Sequence, residues 1–139
     1  MYSVSIEISF CYGHRLQAYD GICKHLHGHN GRAIVSMASE ALDAQGMVFD
    51  FRAAKDALKS WIDEQFDHTL ILERGDPVLK LLQDAGERVT VVEVPPTAEN
   101  IARLIFDRAE AVGLPVIEVA LWETDRCCAS YGVARPSPS

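Results

Sequence analysis

The sequence predicts an α+β domain in which an antiparallel four-stranded sheet carries two main helices on one face. Three observations lead to this fold class. Apolar and polar residues alternate near both ends of the chain, as they do in half-buried strands. Two internal segments repeat apolar residues at helical spacing. The resulting order is two strands, a helix, a short helix, a strand, a helix and a strand, which is typical of α+β architecture.

The first two predicted strands carry histidines on their apolar faces. Residues 2–14 alternate throughout, and continuation of the pattern past Gly13 places His14 on the apolar face. The second strand is predicted from about His27 to Glu40. His27 and His29 share the parity of its apolar residues, which are Ala33, Val35 and Met37. The histidines are therefore expected at the end of a core-facing row, in a pocket.

Capping residues and apolar stripes predict the helices. Asp50 is the expected N-cap of the first long helix, whose stripe is Ala54, Leu58, Trp61, Ile62 and Phe66. A short helix is expected to begin at Asp76-Pro77 and to end at Gly86. Thr97 is the expected N-cap of the second long helix, which Gly113 ends. The stripe of that helix is predicted to be Ile101, Leu104, Ile105, Arg108 and Val112.

Two further strands and a tail complete the predicted domain. Arg88–Val94 is rich in β-branched residues, and Val116–Thr124 alternates apolar with polar residues. A short extended piece is expected around Ser130-Tyr131. We predict that residues 1–133 form a single domain and that residues 134–139 form a disordered tail.

Composition excludes several classes of protein. The chain has 139 residues, 48% of them hydrophobic, and a formal net charge of −7. An acidic chain without a basic face is poorly suited to binding nucleic acid. No apolar run reaches the roughly 20 residues that span a membrane, and no signal-peptide pattern is visible. We therefore expect a cytoplasmic protein with reduced cysteines. Two helices cover only one face of the sheet, so a homo-oligomer is expected.

The segment from Cys23 to His29 predicts a metal site. It contains three of the five histidines of the chain. In an extended strand, His27 and His29 point the same way. His14 is near enough in sequence to supply a third ligand. Three histidines without an obvious fourth ligand are typical of a catalytic zinc, although a lone His-x-His pair is more often two solvated residues.

Six short motifs occur in a specific order: Phe10-x-x-x-His14-Arg15-Leu16, Cys23-x-x-x-His27-Gly28-His29, Gly46-Met47-Val48-x-Asp50-Phe51, Asp67-His68, Pro96-Thr97-Ala98-Glu99-Asn100 and Glu123-Thr124. Through them, nearly the whole chain resembles the 6-pyruvoyl-tetrahydropterin synthase and 6-carboxy-tetrahydropterin synthase family. Two segments depart from the family pattern. Cys11-Tyr12-Gly13 replaces small Ser or Ala residues, and Thr69–Leu72 replaces a common Leu-Asn.

The resemblance implies a tunnelling fold, in which subunits assemble into a β-barrel. A hexamer of two trimers with active sites at the subunit interfaces is expected. The resemblance also implies a Zn²⁺ cofactor bound by three residues, His14, His27 and His29. Cys23 would transfer protons with Asp67 and His68 as its partners. The remaining implied residues would contact the pterin ring, with Glu123 as its anchor and Thr97 and Glu99 nearby.

The spacing between Cys23 and His27 resembles that of the bacterial carboxy-forming branch. A zinc-dependent lyase is therefore implied, converting dihydroneopterin triphosphate to 6-carboxy-tetrahydropterin with release of acetaldehyde and triphosphate. This reaction belongs to queuosine precursor synthesis. The alternatives are the pyruvoyl-forming synthase and a non-catalytic oligomer that binds a pterin or purine around a structural metal.

The residue types suit this chemistry independently of the resemblance. A metal ion can acidify a C–H bond beside a bound oxygen, and a thiol of lowered pKa can accept the proton. The two carboxylate oxygens of Glu123 suit the 2-amino-4-oxo edge of a pterin. Simpler roles remain open for four residues: a helix cap for His68 or Thr97, a helix-dipole partner for Glu99, and a solvated charge for Arg15, whose other expected role is contact with a triphosphate.

Overall fold

A computed structural model describes residues 1–133, which form six strands and three helices around one core. The strands are β1 (Tyr2–His14), β2 (His27–Ser39), β3 (Thr69–Glu73), β4 (Val89–Val92), β5 (Val116–Thr124) and β6 (Cys127–Gly132). The helices are α1 (Phe51–Gln65), α2 (Leu79–Asp84) and α3 (Ala98–Ala111). A 3₁₀ turn at Ile22–Lys24 lies between β1 and β2.

The strands form one mixed sheet in the order β4-β3-β1-β2-β5-β6. β2 pairs antiparallel with β1 and β5, and β5 with β6, whereas β3 is parallel to both β1 and β4. The prediction of four antiparallel strands was therefore wrong in both number and direction. β6 corresponds to the short extended piece expected around Ser130-Tyr131, whereas β3 was missed. Its five residues form a short apolar run that alternation alone does not identify.

β1 and β2 form a continuous antiparallel pair that aligns the histidines. Tyr2 lies opposite Ser39 at one end, and His14 lies opposite His27 at the other. Every second residue of β1 from Ile6 to His14 is buried, whereas those between are exposed or half-buried. His14 is only 3% exposed, which confirms the prediction that it lies on the apolar face of β1.

The long helices α1 and α3 pack against the apolar row of the sheet and share its core, as predicted. Both predicted caps are present: Asp50 accepts a hydrogen bond from the Ala53 amide at 2.8 Å, and Thr97 accepts one from the Asn100 amide at 3.2 Å. The stripe predicted for α3 was partly wrong, because Arg108 is exposed. The buried residues of α3 are Ile101, Ala102, Ile105, Phe106 and Ala109.

The short helix α2 begins at Leu79 rather than at Pro77. Asp76 precedes it and accepts hydrogen bonds from the Arg15 guanidinium and from the Val78 amide. The first turn predicted for this helix is instead a polar turn that contacts the chain just after β1.

No helix within residues 1–133 is both long and apolar enough to cross a membrane. The tail predicted for residues 134–139 lies outside the described residues.

Candidate metal centre and active site

Three histidine rings converge where the paired ends of β1 and β2 meet. His14 is the last residue of β1, and His27 and His29 are the first and third residues of β2. The ring centroids of His14 and His27 are 4.6 Å apart, and each lies 5.1 Å from that of His29. One nitrogen of each ring lies within 4.8 Å of the others. This group can hold a metal ion, and it is the set of residues that strand parity predicted.

The orientation of the rings fits metal binding. The Pro96 carbonyl oxygen lies 2.7 Å from Nδ1 of His14. The His25 carbonyl oxygen lies at the same distance from Nδ1 of His27. If Nδ1 donates its proton to these carbonyls, Nε2 is left with a free lone pair. Among the described residues, Nε2 of His14 and of His29 is buried without a hydrogen-bond partner. Buried polar atoms are normally satisfied, so these nitrogens fit a bound cation.

Burial also keeps His14 in the form that binds metals. Removal from solvent lowers the pKa of the His14 imidazole, and the neighbouring His27 and His29 lower it further. The Pro96 carbonyl and the Glu123 carboxylate oppose this shift without cancelling it. A neutral imidazole, with its lone pair available, is the form that coordinates a metal ion.

A carboxylate lies beside the histidines at the end of β5. Oε1 of Glu123 is 3.7 Å from Nε2 of His14 and 3.9 Å from Nε2 of His29. The same oxygen accepts a hydrogen bond from the Tyr12 hydroxyl at 3.2 Å. Glu123 shares the parity of the buried residues Val119 and Leu121, so its strand places it on the core-facing side of the sheet.

One open pocket, with a volume of about 390 Å³, contains most of the predicted site. The three histidines, Cys23 and Glu123 line it. Thr97 and Glu99, at the start of α3, lie on the same wall. Thr97 therefore faces the pocket while it also caps α3, so its two predicted roles are compatible.

Asp67 and His68 are not brought together with Cys23 within one chain. They line other depressions of the surface, beside Cys11. Oδ1 of Asp67 accepts a hydrogen bond from the Cys11 amide at 2.9 Å, and Oδ2 lies 3.0 Å from Nδ1 of His68. These bonds hold the pKa of Asp67 below its usual value, although burial acts in the opposite direction. His68 has a backbone φ of 53° and a side chain that is 74% exposed.

Arg15 has a structural partner. Its guanidinium donates two hydrogen bonds to the Asp76 carboxylate, at 2.7 and 2.5 Å. Both oxygens of a buried carboxylate are thereby occupied by one side chain, an arrangement with high geometric specificity. The predicted choice between a solvated charge and a phosphate contact did not include this ion pair.

Sequence reasoning missed two kinds of residue at the site, a buried one that contacts its side chains and two that line the pocket. Tyr12 carries no motif signal, because its hydroxyl meets a partner more than a hundred positions away. Cys127 and Cys128, which were expected only as reduced thiols, both line the pocket. Both cysteines lie at the start of β6, which pairs with β5 just after Glu123. Prediction of this hairpin would have placed them at the same end of the sheet as Glu123.

Comparisons with known proteins agree with this geometry. The family model described as 6-pyruvoyl tetrahydropterin synthase matches residues 3–133. The chain belongs to this family. The 6-carboxy-5,6,7,8-tetrahydropterin synthase of Rickettsia bellii is 38% identical over 128 residues, which are 87% of this chain and 93% of that protein. The enzyme of the same name from Aquifex aeolicus is 38% identical over 122 residues, 78% of this chain and 75% of that protein.

Solved structures give the same assignment. The 6-pyruvoyl tetrahydropterin synthase of Caenorhabditis elegans is 25% identical in sequence, and it superimposes with a TM-score of 0.69. The match covers 96% of this chain and 98% of the nematode chain. The relatives of this chain are therefore tetrahydropterin synthases, which are enzymes. The mixed sheet with three helices is the fold that this chain shares with them.

Proposed function

We propose that this chain is a zinc-dependent lyase that converts dihydroneopterin triphosphate to 6-carboxy-tetrahydropterin, releasing acetaldehyde and triphosphate. The observation that carries the proposal is the group formed by His14, His27 and His29. Their free nitrogens open on a pocket that also contains a thiol and a carboxylate. A metal centre, a proton-transferring group and a ring-recognition group are the components that this reaction needs.

The similarity to named relatives favours the carboxy-forming reaction. The Rickettsia and Aquifex proteins, both named for 6-carboxy-tetrahydropterin synthesis, are 38% identical to this chain. The nematode protein named for the pyruvoyl product is 25% identical. The short spacing between Cys23 and His27 supports the same branch. In this proposal the product enters queuosine precursor synthesis.

The residues divide the chemistry between them. Zinc, when bound, supplies a Lewis acid that polarises an oxygen of the substrate side chain. Cys23 accepts and returns the proton of the neighbouring carbon, because it lines the same pocket as the histidines. Glu123 accepts hydrogen bonds from the 2-amino-4-oxo edge of the pterin, and it thereby orients the ring. Thr97 and Glu99 contribute the adjoining wall.

We further propose that the working enzyme is a homo-oligomer, specifically a hexamer built as two trimers. Asp67 and His68 lie outside the pocket that contains Cys23, so a second copy must supply them if they assist its proton transfer. The exposure of the His68 side chain leaves it available to a neighbouring subunit. In this arrangement each active site draws residues from two chains.

Two other functions are tested by the same measurement. The pyruvoyl-forming synthase uses the same residue types, so the product distinguishes it from the proposed enzyme. A non-catalytic pterin binder has no need of Cys23 or His68, and their presence favours an enzyme. Purified zinc-loaded protein is incubated with dihydroneopterin triphosphate, and the products are identified by mass. The carboxy-pterin with acetaldehyde supports the proposal, a pyruvoyl product moves the chain to the other branch, and unchanged substrate leaves only the binder.

A further inference from the structure

The side chain of Tyr12 packs against two of the site histidines and reaches Glu123, at a position that no motif specifies. It lies on the apolar face of β1, two residues before His14, and is 1% exposed. It is the largest of the fully buried side chains among the described residues. A phenol so deeply buried needs a hydrogen-bond partner, because an unpaired hydroxyl group would be costly to remove from water.

The aromatic ring of Tyr12 packs on the metal-site residues. Its centroid lies 5.2 Å from the ring of His14 and 5.6 Å from that of His29. On the neighbouring strand, position 31 is a glycine, and a Cβ atom built there would lie 2.9 Å from Cε1 of Tyr12. No ordinary Cβ contact is that short, so Gly31 provides the space that the Tyr12 ring fills.

The hydroxyl of Tyr12 reaches across to a different strand. It donates a hydrogen bond of 3.2 Å to Oε1 of Glu123. Hydrogen bonds to a charged acceptor are stronger than those between neutral groups. The Glu123 side chain is 22% exposed. It therefore accepts the hydrogen bond from Tyr12 inside the protein while part of its carboxylate still faces the pocket.

We propose that Tyr12 is a positioning residue for ligand recognition, whose hydroxyl holds the Glu123 carboxylate in the orientation that accepts the two N–H donors of the pterin edge. This inference rests on the proposed function of the pocket and adds a residue to it. The ring and the hydroxyl have separate roles. The ring packs against His14 and His29, and the hydroxyl fixes Glu123. Loss of the hydroxyl alone therefore affects pterin recognition and leaves the metal site intact.

The variant Tyr12→Phe separates these roles, because it keeps the ring and removes the hydroxyl. Binding of 6-carboxypterin, which retains the 2-amino-4-oxo edge, is measured by calorimetry with zinc-loaded protein. We expect the dissociation constant to rise roughly tenfold, the usual size of a lost hydrogen bond to a charged group. With the natural substrate, KM rises while kcat changes little. Zinc content, the thermal unfolding midpoint and the visible spectrum of cobalt-substituted protein stay as in the wild type.

A double-mutant cycle shows whether the effect passes through Glu123. In the Glu123→Ala background, adding Tyr12→Phe is expected to change the dissociation constant by less than about twofold, because the acceptor of the Tyr12 hydroxyl is already gone. Tyr131→Phe serves as the matched control. The Tyr131 ring packs on Phe106 at 5.0 Å, and the residue does not line the pocket, so its variant binds 6-carboxypterin like the wild type.

Four outcomes overturn the inference. The first is unchanged pterin affinity in Tyr12→Phe, and the second is an equal loss of affinity from Tyr12→Phe in both backgrounds. The third is loss of zinc or an altered cobalt spectrum in Tyr12→Phe, which means that the hydroxyl acts through the histidines. Wild-type protein that fails to bind 6-carboxypterin also overturns it. Wild-type protein that binds the pterin but forms no product refutes only the proposed reaction, and the cycle then still tests Tyr12.

Discussion

Replacement of Asp76 by asparagine tests how the chain just beyond the metal site is held. Asp76 is 4% exposed, and its carboxylate accepts two hydrogen bonds from Arg15 and one of 2.9 Å from the Val78 amide. Arg15 follows His14 directly in sequence. The ion pair therefore anchors the exit of β1 to the turn before α2. Asp76→Asn keeps the size of the side chain and removes its charge.

The expected loss of stability follows from the burial of the pair. Removing one partner of a buried ion pair costs roughly 3–5 kcal/mol when the remaining charge is cut off from water. The Arg15 side chain is 18% exposed, so water can solvate part of its charge. We therefore expect the free energy of unfolding to fall by about 2–3 kcal/mol. For a domain of this size, the unfolding midpoint falls by roughly 6–12 °C.

The assay is thermal and urea unfolding at one fixed protein concentration, followed by circular dichroism. The matched control is Asp84→Asn, which breaks an exposed pair between Lys80 and Asp84 within α2. Pairs of that kind contribute little, so this variant should unfold with the wild type. If Asp76→Asn is no less stable than Asp84→Asn, the ion pair with Arg15 does not stabilise the fold and the reasoning is refuted.

The same pair has a defined pH dependence. Burial alone would raise the pKa of Asp76, but the hydrogen bonds from Arg15 and from the Val78 amide lower it below its ordinary value. A carboxyl group whose pKa is lowered by folding adds stability above its unfolded pKa of about 3.9. That stability is lost as the pH falls through the folded-state pKa. The difference between wild type and Asp76→Asn should therefore be constant near neutral pH and shrink only in acid.

The remaining predictions concern the site. His27→Ala should lose its zinc by elemental analysis, because two histidines remain where three converge; unchanged zinc content would contradict the metal assignment. Cys23→Ala should keep zinc and pterin binding while turnover falls by roughly 10²–10⁴-fold, and near-normal turnover would exclude Cys23 as the base. Inactive Cys23→Ala and His68→Ala proteins, unfolded and refolded together, should regain activity through mixed oligomers. If the mixture stays inactive although light scattering detects mixed oligomers, the proposal that two chains share each site fails.

Strand parity predicted the convergence of the three histidines because the pairing of β1 and β2 has no irregularity. His14 faces His27 in the observed register, as two uninterrupted alternating patterns require. The same principle places Glu123 on the core-facing side of β5, although a register shift follows Trp122 where β5 pairs with β6. Local sequence therefore determines much of the site, since each side chain's direction follows from its own strand.

Other features depend on contacts between distant segments, which local patterns do not contain. β3 joins the sheet by parallel pairing with β1, at Tyr12 and Thr69, and no alternating pattern in its five residues predicts that partner. The stripe of α3 was assigned to residues that include Arg108, because spacing alone does not show which neighbouring helical face meets the sheet. The Tyr12 hydroxyl likewise has a role only once β5 brings Glu123 to it.

The paired strands β1 and β2 have a consequence for how a metal ion would enter the candidate site. Small zinc domains often fold only when the ion arrives, because nothing else gathers their ligands. Here the register of β1 and β2 and the buried core position His14, His27 and His29 through contacts that do not involve an ion. Chelation should therefore abolish turnover while circular dichroism remains native, and added zinc should restore activity without a refolding delay. Metal binding is then a reversible step that follows folding, and the protein remains folded when the ion is removed.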